Sequence, residues 1–255
     1  MNQNQTIRVL LSGCGRMGRL VGEEAAENEN FSPVYGVDAF LPDGLPFPVV
    51  GTFDAVDASF DVVIDYSNSA VFDALADFVQ AQKKPLVLCT TGLSDAQLER
   101  VRQLAESVPV FFSANMSVGV YVLSAIAKKA AALLGTDFDI EIQEAHHRNK
   151  VDAPSGTALT LAREIQSARP DLDTLSLDRT AVRQKRSSRE IGVSCSRGGS
   201  LPGKHTVMYA GEDEVLELTH TAYSPKIFAS GALRAAAFLM GKPAGLYGMS
   251  DLLEI

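Results

Sequence analysis

Ile7-Arg8-Val9-Leu10-Leu11-Ser12-Gly13-Cys14-Gly15-Arg16-Met17-Gly18 joins a short apolar run to a glycine-rich turn. An apolar run of this length, bounded by glycine, reads as a buried strand. Gly13 to Gly18 fits Gly-x-Gly-x-x-Gly, and helical patterning runs from about Arg16 to Glu27. Residues 34–38 read as a second strand, so Asp38 stands at a strand end, 20 positions after Gly18. The glycine pattern alone also describes ordinary strand-to-helix turns. Its setting, with an acid closing the next strand, is that of a dinucleotide fingerprint. Glycines let the backbone approach a pyrophosphate, and the helix start offers N–H donors and a positive dipole end. The acid accepts hydrogen bonds from a ribose diol. Candidate cofactor contacts are therefore Gly13, Cys14, Gly15, Arg16, Met17, Gly18 and Asp38. A carboxylate at 38 repels a 2′-phosphate, and Ala39 supplies no cation to hold one; Arg16 is the charge that could offset this. NADH is the expected cofactor, with NADPH tolerated.

The alternation continues along the chain. Residues 61–65, 86–89 and 108–112 read as strands, and residues 69–82 and 94–106 as helices; a Pro- and Gly-rich loop runs through Pro48. Short apolar strands alternating with amphipathic helices signal a parallel sheet covered on both faces. Ligands of such sheets sit beyond the carboxyl ends of the strands. Thr90, Thr91 and Gly92 end one predicted strand, and Ser113, Asn115 and Met116 follow the next. They are candidate contacts for the nicotinamide end. The same residue types serve plain turns, so both readings stand at this point.

The rhythm changes after about Ser117. Val118–Leu134 reads as a long Ala-rich helix, 138–144 as a half-exposed strand and 156–166 as a helix. Residues 191–195, 205–209 and 215–221 then read as strands with few helices between, which suggests a second, mixed or antiparallel sheet. Residues 227–240 form a last amphipathic helix.

A chain of 255 residues with 46% hydrophobic content can bury the core of one large domain or two modest ones. Its net charge of −8 argues against a nucleic-acid partner. Cys14, Cys89 and Cys195 lack metal or disulfide spacing and read as reduced thiols. The N-terminal residues are polar, with no apolar signal segment, and no run is judged long enough to cross a bilayer. A soluble cytoplasmic protein without a membrane partner is expected.

A second segment carries chemistry: Glu144-Ala145-His146-His147-Arg148-Asn149-Lys150-Val151-Asp152-Ala153-Pro154-Ser155-Gly156-Thr157-Ala158. If the preceding strand runs on through both histidines they face opposite ways; in a loop both reach one pocket. Lys150 can pair with a carboxylate or deliver a proton. Asp152 or Ser155 can cap a helix whose first N–H groups, near Gly156 and Thr157, would hold an anion. Each piece singly also fits a core histidine, a surface lysine or a plain cap. No metal is expected, because no further ligands lie at suitable spacing and His205 and His220 are scattered along the chain.

This segment resembles the active-site signature of the 4-hydroxy-tetrahydrodipicolinate (dihydrodipicolinate) reductase family. The resemblance extends to Gly15–Gly18, Thr90-Thr91-Gly92, Ala114–Gly119, Arg197-Gly198, Pro202–Val207, Phe228-Ala229 and Gly231-Ala232. It implies an α/β fold: an N-terminal Rossmann-type parallel sheet, and a C-terminal α+β domain with an open mixed sheet. The implied domains are a dinucleotide-binding domain, residues 1–117 and 227–255, and a substrate-binding and oligomerisation domain, residues 118–226. A homotetramer is implied. So is NAD(P)H-dependent reduction of a small cyclic dicarboxylate with loss of water, in lysine and diaminopimelate biosynthesis. His146 would be the general acid/base, with Lys150 assisting or holding a carboxylate. His147, Ser155, Gly156 and Thr157 would bind the substrate. The chain departs from the family pattern in its shorter glycine loop and in Cys89, where glycine commonly stands. It also carries Ser224-Pro225-Lys226-Ile227 where an arginine is common, so no arginine role is carried over and Lys226 is at best a substitute. A related amine dehydrogenase would share the glycine loop but not the dicarboxylate site. A non-catalytic NAD-binding sensor would have no use for His146 with Lys150.

Residues 178–190 are strongly basic through Arg179, Arg183, Lys185, Arg186 and Arg189. Such a run is either a solvated loop or a contact with a neighbouring subunit's acids.

Overall fold

The structure, a computed structural model, describes residues 6–180 and 183–254. The polar residues 1–5, positions 181–182 of the basic run and the last residue lie outside the described residues. The chain divides into two compact units, one running to Met116 and resuming at Pro225, the other Ser117–Ser224.

The first unit is built on a seven-stranded sheet in the order β12-β6-β5-β4-β1-β2-β3. Its strands are β1 (Ile7–Ser12), β2 (Phe31–Val37), β3 (Val49–Val50), β4 (Val62–Asp65), β5 (Leu86–Leu88), β6 (Pro109–Phe112) and β12 (Gly245–Tyr247). Every pairing in it is parallel. Helices α1 (Arg16–Glu27), α2 (Phe72–Gln82) and α3 (Asp95–Ala105) connect the strands. Helix α3 starts on a capping box between Ser94 and Gln97. The core gathers Leu10, Val63, Phe72, Leu75, Leu86 and Val110. Strand order reverses between β1 and β4, and that switch point is where open α/β sheets bind ligands.

Strand β2 begins at Phe31, earlier than its sequence pattern shows, because Pro33 and Gly36 interrupt it. A register shift against β1 at Val9/Leu10 absorbs the proline. The last long helix, α6 (Lys226–Leu239), belongs to this unit and lies along α1. Ser230 Oγ donates to Glu24 at 2.7 Å, and a Cβ at Gly231 would stand 1.8 Å from the Met116 carbonyl oxygen. A short helix, α7 (Met249–Leu253), follows β12.

The second unit holds a five-stranded mixed sheet in the order β11-β10-β7-β9-β8. Its strands are β7 (Asp139–His146), β8 (Thr174–Ser176), β9 (Glu190–Arg197), β10 (Gly203–Ala210) and β11 (Val215–Ala222). Helices α4 (Val118–Leu134) and α5 (Gly156–Ala168) supply Leu123, Ala127, Leu161 and Ile165 to a core with Ile140, Ile142, Ile191, Val193, Val207 and Tyr209. Alternation puts Gln143, Ser194, Lys204 and Glu217 on the other face, where they are exposed. Helix α4 corrects one expectation. With its following turn, Val118–Asp137, it is 20 residues long and apolar enough to have the dimensions of a membrane span. Ser124, Lys128 and Lys129 break its apolar run. Those lysines are costly at a bilayer centre. Lys128 pairs with Glu164 at 3.0 Å, and the Leu123, Ala127, Ala131 face packs into the unit's own core.

Three of the five cations of the basic run pair within the chain, while Arg183 and Lys185 are exposed. Arg186 pairs with Asp139 at 2.7 Å and Glu141 at 3.2 Å, Arg179 with Glu141 and Glu190, and Arg189 with Asp173.

The glycine loop is tightly built. Gly13 has φ +81°, and a Cβ there would lie 2.6 Å from the Ser67 backbone, while a Cβ at Gly18 would lie 1.9 Å from the Gly13 carbonyl oxygen. Gly18→Ala is therefore expected to destabilise the protein by about 1–3 kcal/mol and to weaken dinucleotide binding. Thermal melting and NADH fluorescence titration check this; wild-type behaviour in both would show that the loop relaxes.

Candidate active site

Two constellations form, one in each unit. In the first, Asp38 follows β2 directly, and its carboxylate accepts from the Cys14 N–H at 2.8 Å and the Phe40 N–H at 2.9 Å. Those bonds aim it into a cleft of about 1030 Å³ lined by Gly13, Gly15, Thr52, Ser67 and Asn68 among others. Nothing stands within 4 Å of a Cβ position at Gly15, so space remains over the start of α1. The N–H groups of that helix start, the glycine cradle and a carboxylate with lone pairs to spare fit a dinucleotide.

A second cavity of about 370 Å³ is lined by Arg16, Met17, Thr90, Thr91, Asn115 and Met116, with Tyr66 and Cys89. Arg16 lines this cavity and is not among the residues lining the Asp38 cleft. Ser113 shapes the loop after β6, its Oγ donating to the Asn115 carbonyl at 2.7 Å. Gly92 lies in the exposed stretch after β5 with φ +73°.

Asp65 belongs to no sequence motif yet organises the strand ends. Its fully buried carboxylate accepts from Ser67 Oγ at 2.6 Å and Thr90 Oγ1 at 2.5 Å, tying together the ends of β4 and β5. Burial raises its pKa against these hydrogen bonds.

The second constellation sits at the end of β7. The strand ends at His146, so Glu144 and His146 share one face and His147 lies beyond in an exposed turn. Glu144 Oε2 is 2.6 Å from His146 Nδ1. Arg197, in register with His146 on β9, grips both Glu144 oxygens at 2.7 Å, and the Ser155 N–H donates to Oε1 at 3.1 Å. Ser155 Oγ caps α5 by accepting from the Ala158 N–H at 3.2 Å, and it bonds His205 Nε2 at 2.9 Å. The His205 ring stands edge-on to His146, centroids 5.1 Å apart.

His205 and His220, distant in sequence, are cross-strand partners on β10 and β11. Among the described residues no three His, Cys, Asp or Glu side chains form a group that could hold a metal ion. Lys150 pairs with Asp152 at 2.8 Å. Ser155 is buried and committed to its cap, so the exposed part of the helix start is Gly156.

Electrostatics follow from these contacts. Burial alone would raise the Glu144 pKa; Arg197 first, then His146, Cys195 and the Ser155 N–H, outweigh it and hold it at about 2. Burial lowers the His146 pKa, and Lys150 and Arg197 push the same way, while Glu144 pulls it up. Burial, with His146 adding, lowers His205 to about 4. Lys150 holds the Asp152 carboxyl below its ordinary range, with the Gly156 backbone contributing.

His146, Lys150 and the helix start lie in one short segment, as their spacing predicts, whereas the roles of Glu144, Arg197 and His205 emerge only from strand pairing. Period-two alternation already put Glu144 beside His146. The register of β9 and β10 left no mark in the sequence.

The family model for the N-terminus of dihydrodipicolinate reductase matches residues 7–116, and that for the C-terminus matches residues 119–253. The chain belongs to the dihydrodipicolinate reductase family. It is 41% identical over 248 residues to 4-hydroxy-tetrahydrodipicolinate reductase of Clostridium novyi strain NT, covering 97% of this chain and 98% of that one. It is 42% identical over 250 residues to the enzyme of the same name from Caldanaerobacter subterraneus subsp. tengcongensis, covering 97% and 98%. Dipicolinate-bound dihydrodipicolinate reductase from Paenisporosarcina sp. TG-14 superposes with a TM-score of 0.81 at 26% identity, covering 98% of this chain and 100% of that one. Membership makes the chain an oxidoreductase and accounts for its pair of sheets, one parallel and one mixed.

In this family member His205 has a folded pKa of about 4, below its unfolded value of about 6.5. The neutral ring therefore favours the folded state in full above about pH 6.5, and that stability is lost as pH falls toward 4. The loss is on the order of 3 kcal/mol at most. Melting temperature between pH 7 and 4.5 is expected to fall more steeply for the wild type than for His205→Asn. Parallel curves would show that His205 is solvated in the folded state.

Proposed function

We propose that this chain catalyses NAD(P)H-dependent reduction of 4-hydroxy-tetrahydrodipicolinate to tetrahydrodipicolinate, in lysine and diaminopimelate biosynthesis. One substrate and one NAD(P)H take up a proton and yield tetrahydrodipicolinate, NAD(P)⁺ and water. The observation that carries the reading is a hydrogen-bonded Glu144–His146 pair on the same short segment as Lys150 and the α5 start.

A dicarboxylate asks for cationic and N–H donors. Lys150 and the backbone at Gly156 and Thr157 are the donors for one carboxylate, with Ser155 holding that helix start in shape. His147, exposed in the turn after β7, binds the substrate's other polar edge. In this protein Asp152 already sits on Lys150, so the substrate carboxylate takes over the place of a carboxylate the chain itself supplies. A lysine already engaged by an anion suits a binding role better than a proton-donating one. His146 protonates the ring carbon next to the one that receives hydride; an imidazole titrates in the range such a step needs. An amine dehydrogenase or a sensor would leave this carboxylate site without a use.

Bound NAD(P)H supplies the hydride. Gly13, Cys14, Gly15, Arg16, Met17, Gly18 and Asp38 hold its pyrophosphate and ribose side. Thr90, Thr91, Gly92, Ser113, Asn115 and Met116 hold its nicotinamide side. NADH is preferred, because Asp38 faces the ribose pocket and Arg16 lines the other cavity. The protein works in the cytoplasm as a homotetramer. Three unpaired cysteines suit the first statement, and the second rests on the family resemblance.

Freshly condensed aspartate semialdehyde and pyruvate is expected to drive loss of NADH absorbance with the wild type. His146→Gln should lose about 10²–10⁴-fold in kcat with its fold intact. Lys150→Ala should raise KM by about tenfold or more, as the loss of a charge-assisted hydrogen bond predicts. An inactive wild type would overturn the reaction, and an unchanged His146→Gln would overturn the role of that histidine.

Binding titrations test the cofactor. The wild type should bind NADH several times more tightly than NADPH, and Asp38→Ala should narrow that ratio by removing the charge that repels a 2′-phosphate. A wild-type preference for NADPH would count against Asp38 as the selector.

A further inference from the structure

Glu144 is one of the few buried charges of the chain, with 3% exposure, and it receives more hydrogen bonds than a strand residue needs. Arg197 occupies both its oxygens in a fork, and the Ser155 N–H fixes one of them from the side of α5. That leaves the carboxylate no freedom to turn, and its Oε2 points at His146 Nδ1 from 2.6 Å. We infer that Glu144 is a positioning residue: held by Arg197, it fixes His146 in the tautomer that carries its proton on Nδ1. Nε2 is then the atom that gives up and takes back the proton. The inference rests on the proposed role of His146 in proton transfer.

The tautomer follows from hydrogen-bond chemistry. An ionised carboxylate only accepts, so the His146 nitrogen beside it must donate. Glu144 is ionised throughout the working range because its partners hold it at about 2. The opposite nitrogen is kept accessible. A Cβ at residue 203 would lie 3.2 Å from His146 Nε2, and the residue there is glycine. The edge-on ring of His205 blocks rotation of the imidazole on another side.

Four charged or titratable groups face the His146 ring: Glu144 on its own strand, Arg197 on β9, His205 on β10 and Lys150 on the following loop. Only Glu144 favours the imidazolium; Arg197 and Lys150 oppose it. Removing the Glu144 charge therefore moves His146 in one direction, toward a lower pKa. A purely structural ion pair is the competing explanation. Buried pairs are weak stabilisers compared with apolar side chains, so stability alone is a poor reason for one at this place.

Ring-nitrogen NMR of the full chain tests this without substrate. The protein has four histidines, so the His146 signals are those missing from His146→Gln. The wild type is expected to show the Nδ1–H tautomer, and Glu144→Gln to show mixed tautomers and a His146 pKa lower by about one unit or more. In turnover, Glu144→Gln should lose about 10–100-fold in kcat, within the contribution of general acid–base catalysis, with KM changed less than about threefold. The limb of the pH–kcat profile that reports His146 should move to lower pH. Should Glu144→Gln not fold, the double variant Glu144→Gln with Arg197→Gln leaves no unpaired guanidinium, and mixed tautomers are expected there too. A wild-type ring protonated on Nε2, or a folded variant with unchanged tautomer and pKa, overturns the inference. Absence of turnover by the wild type speaks against the proposed reaction and leaves the ring spectra to decide on Glu144.

Discussion

The second unit depends on how one buried carboxylate is satisfied. Removing Glu144 from water is unfavourable by several kcal/mol unless donors replace the solvent. Three elements supply them: β9 through Arg197, α5 through the Ser155 N–H, and β7 through His146. Each donor belongs to a different element, so satisfying the carboxylate also fixes their mutual positions. The start of α5 and the His146 imidazole are set by the same oxygen atoms. A shift of β9 by one residue would turn Arg197 to the other face and leave Glu144 charged and unpaired.

The first unit uses a related device. Asp65 is buried at the end of β4 and gathers Ser67 and Thr90, so the loops after β4 and β5 are tied beneath the dinucleotide cleft. Asp38, by contrast, spends its inner lone pairs on the Cys14 and Phe40 N–H groups and keeps the outer ones for a ligand. The two buried acids Asp65 and Glu144 stand at or near the carboxyl ends of their strands, where loops diverge and need tying, and neither touches the ligand in the proposed scheme.

This division explains what the sequence made legible. Local patterns carried far: the strand, glycine turn and helix at Ile7–Glu27, and the whole of Val118–Leu134, are written in hydrophobic period and capping residues. Strands β3, β8 and β12 were missed because two or three residues cannot display a period. His146, Lys150 and the α5 start could be read because they lie within a dozen positions of one another. Arg197 and His205 stand in segments that carry the resemblance, but no role is legible for them, since they reach the site through strand pairing, with 53 positions separating Arg197 from Glu144 and 50 separating His205 from Ser155. Val118–Asp137 shows the opposite failing: a composition suited to a bilayer, in a helix whose apolar face is used in its own core.

Charge at the site is local and differs from the acidity of the whole chain. A net charge of −8 repels polyanions but says little to a small dianion, because charges farther than about 8 Å are screened at physiological salt. Within that radius Lys150 and Arg197 balance Asp152 and Glu144. The surplus positive potential comes from the α5 helix start and from whatever charge His146 carries. In the free protein burial holds the His146 pKa down. A dicarboxylate brought beside it adds negative charge, and negative charge raises an imidazole's pKa. On this scheme the substrate itself draws onto His146 the proton that the reaction consumes, and a ring poised as neutral becomes an acid only when there is something to protonate.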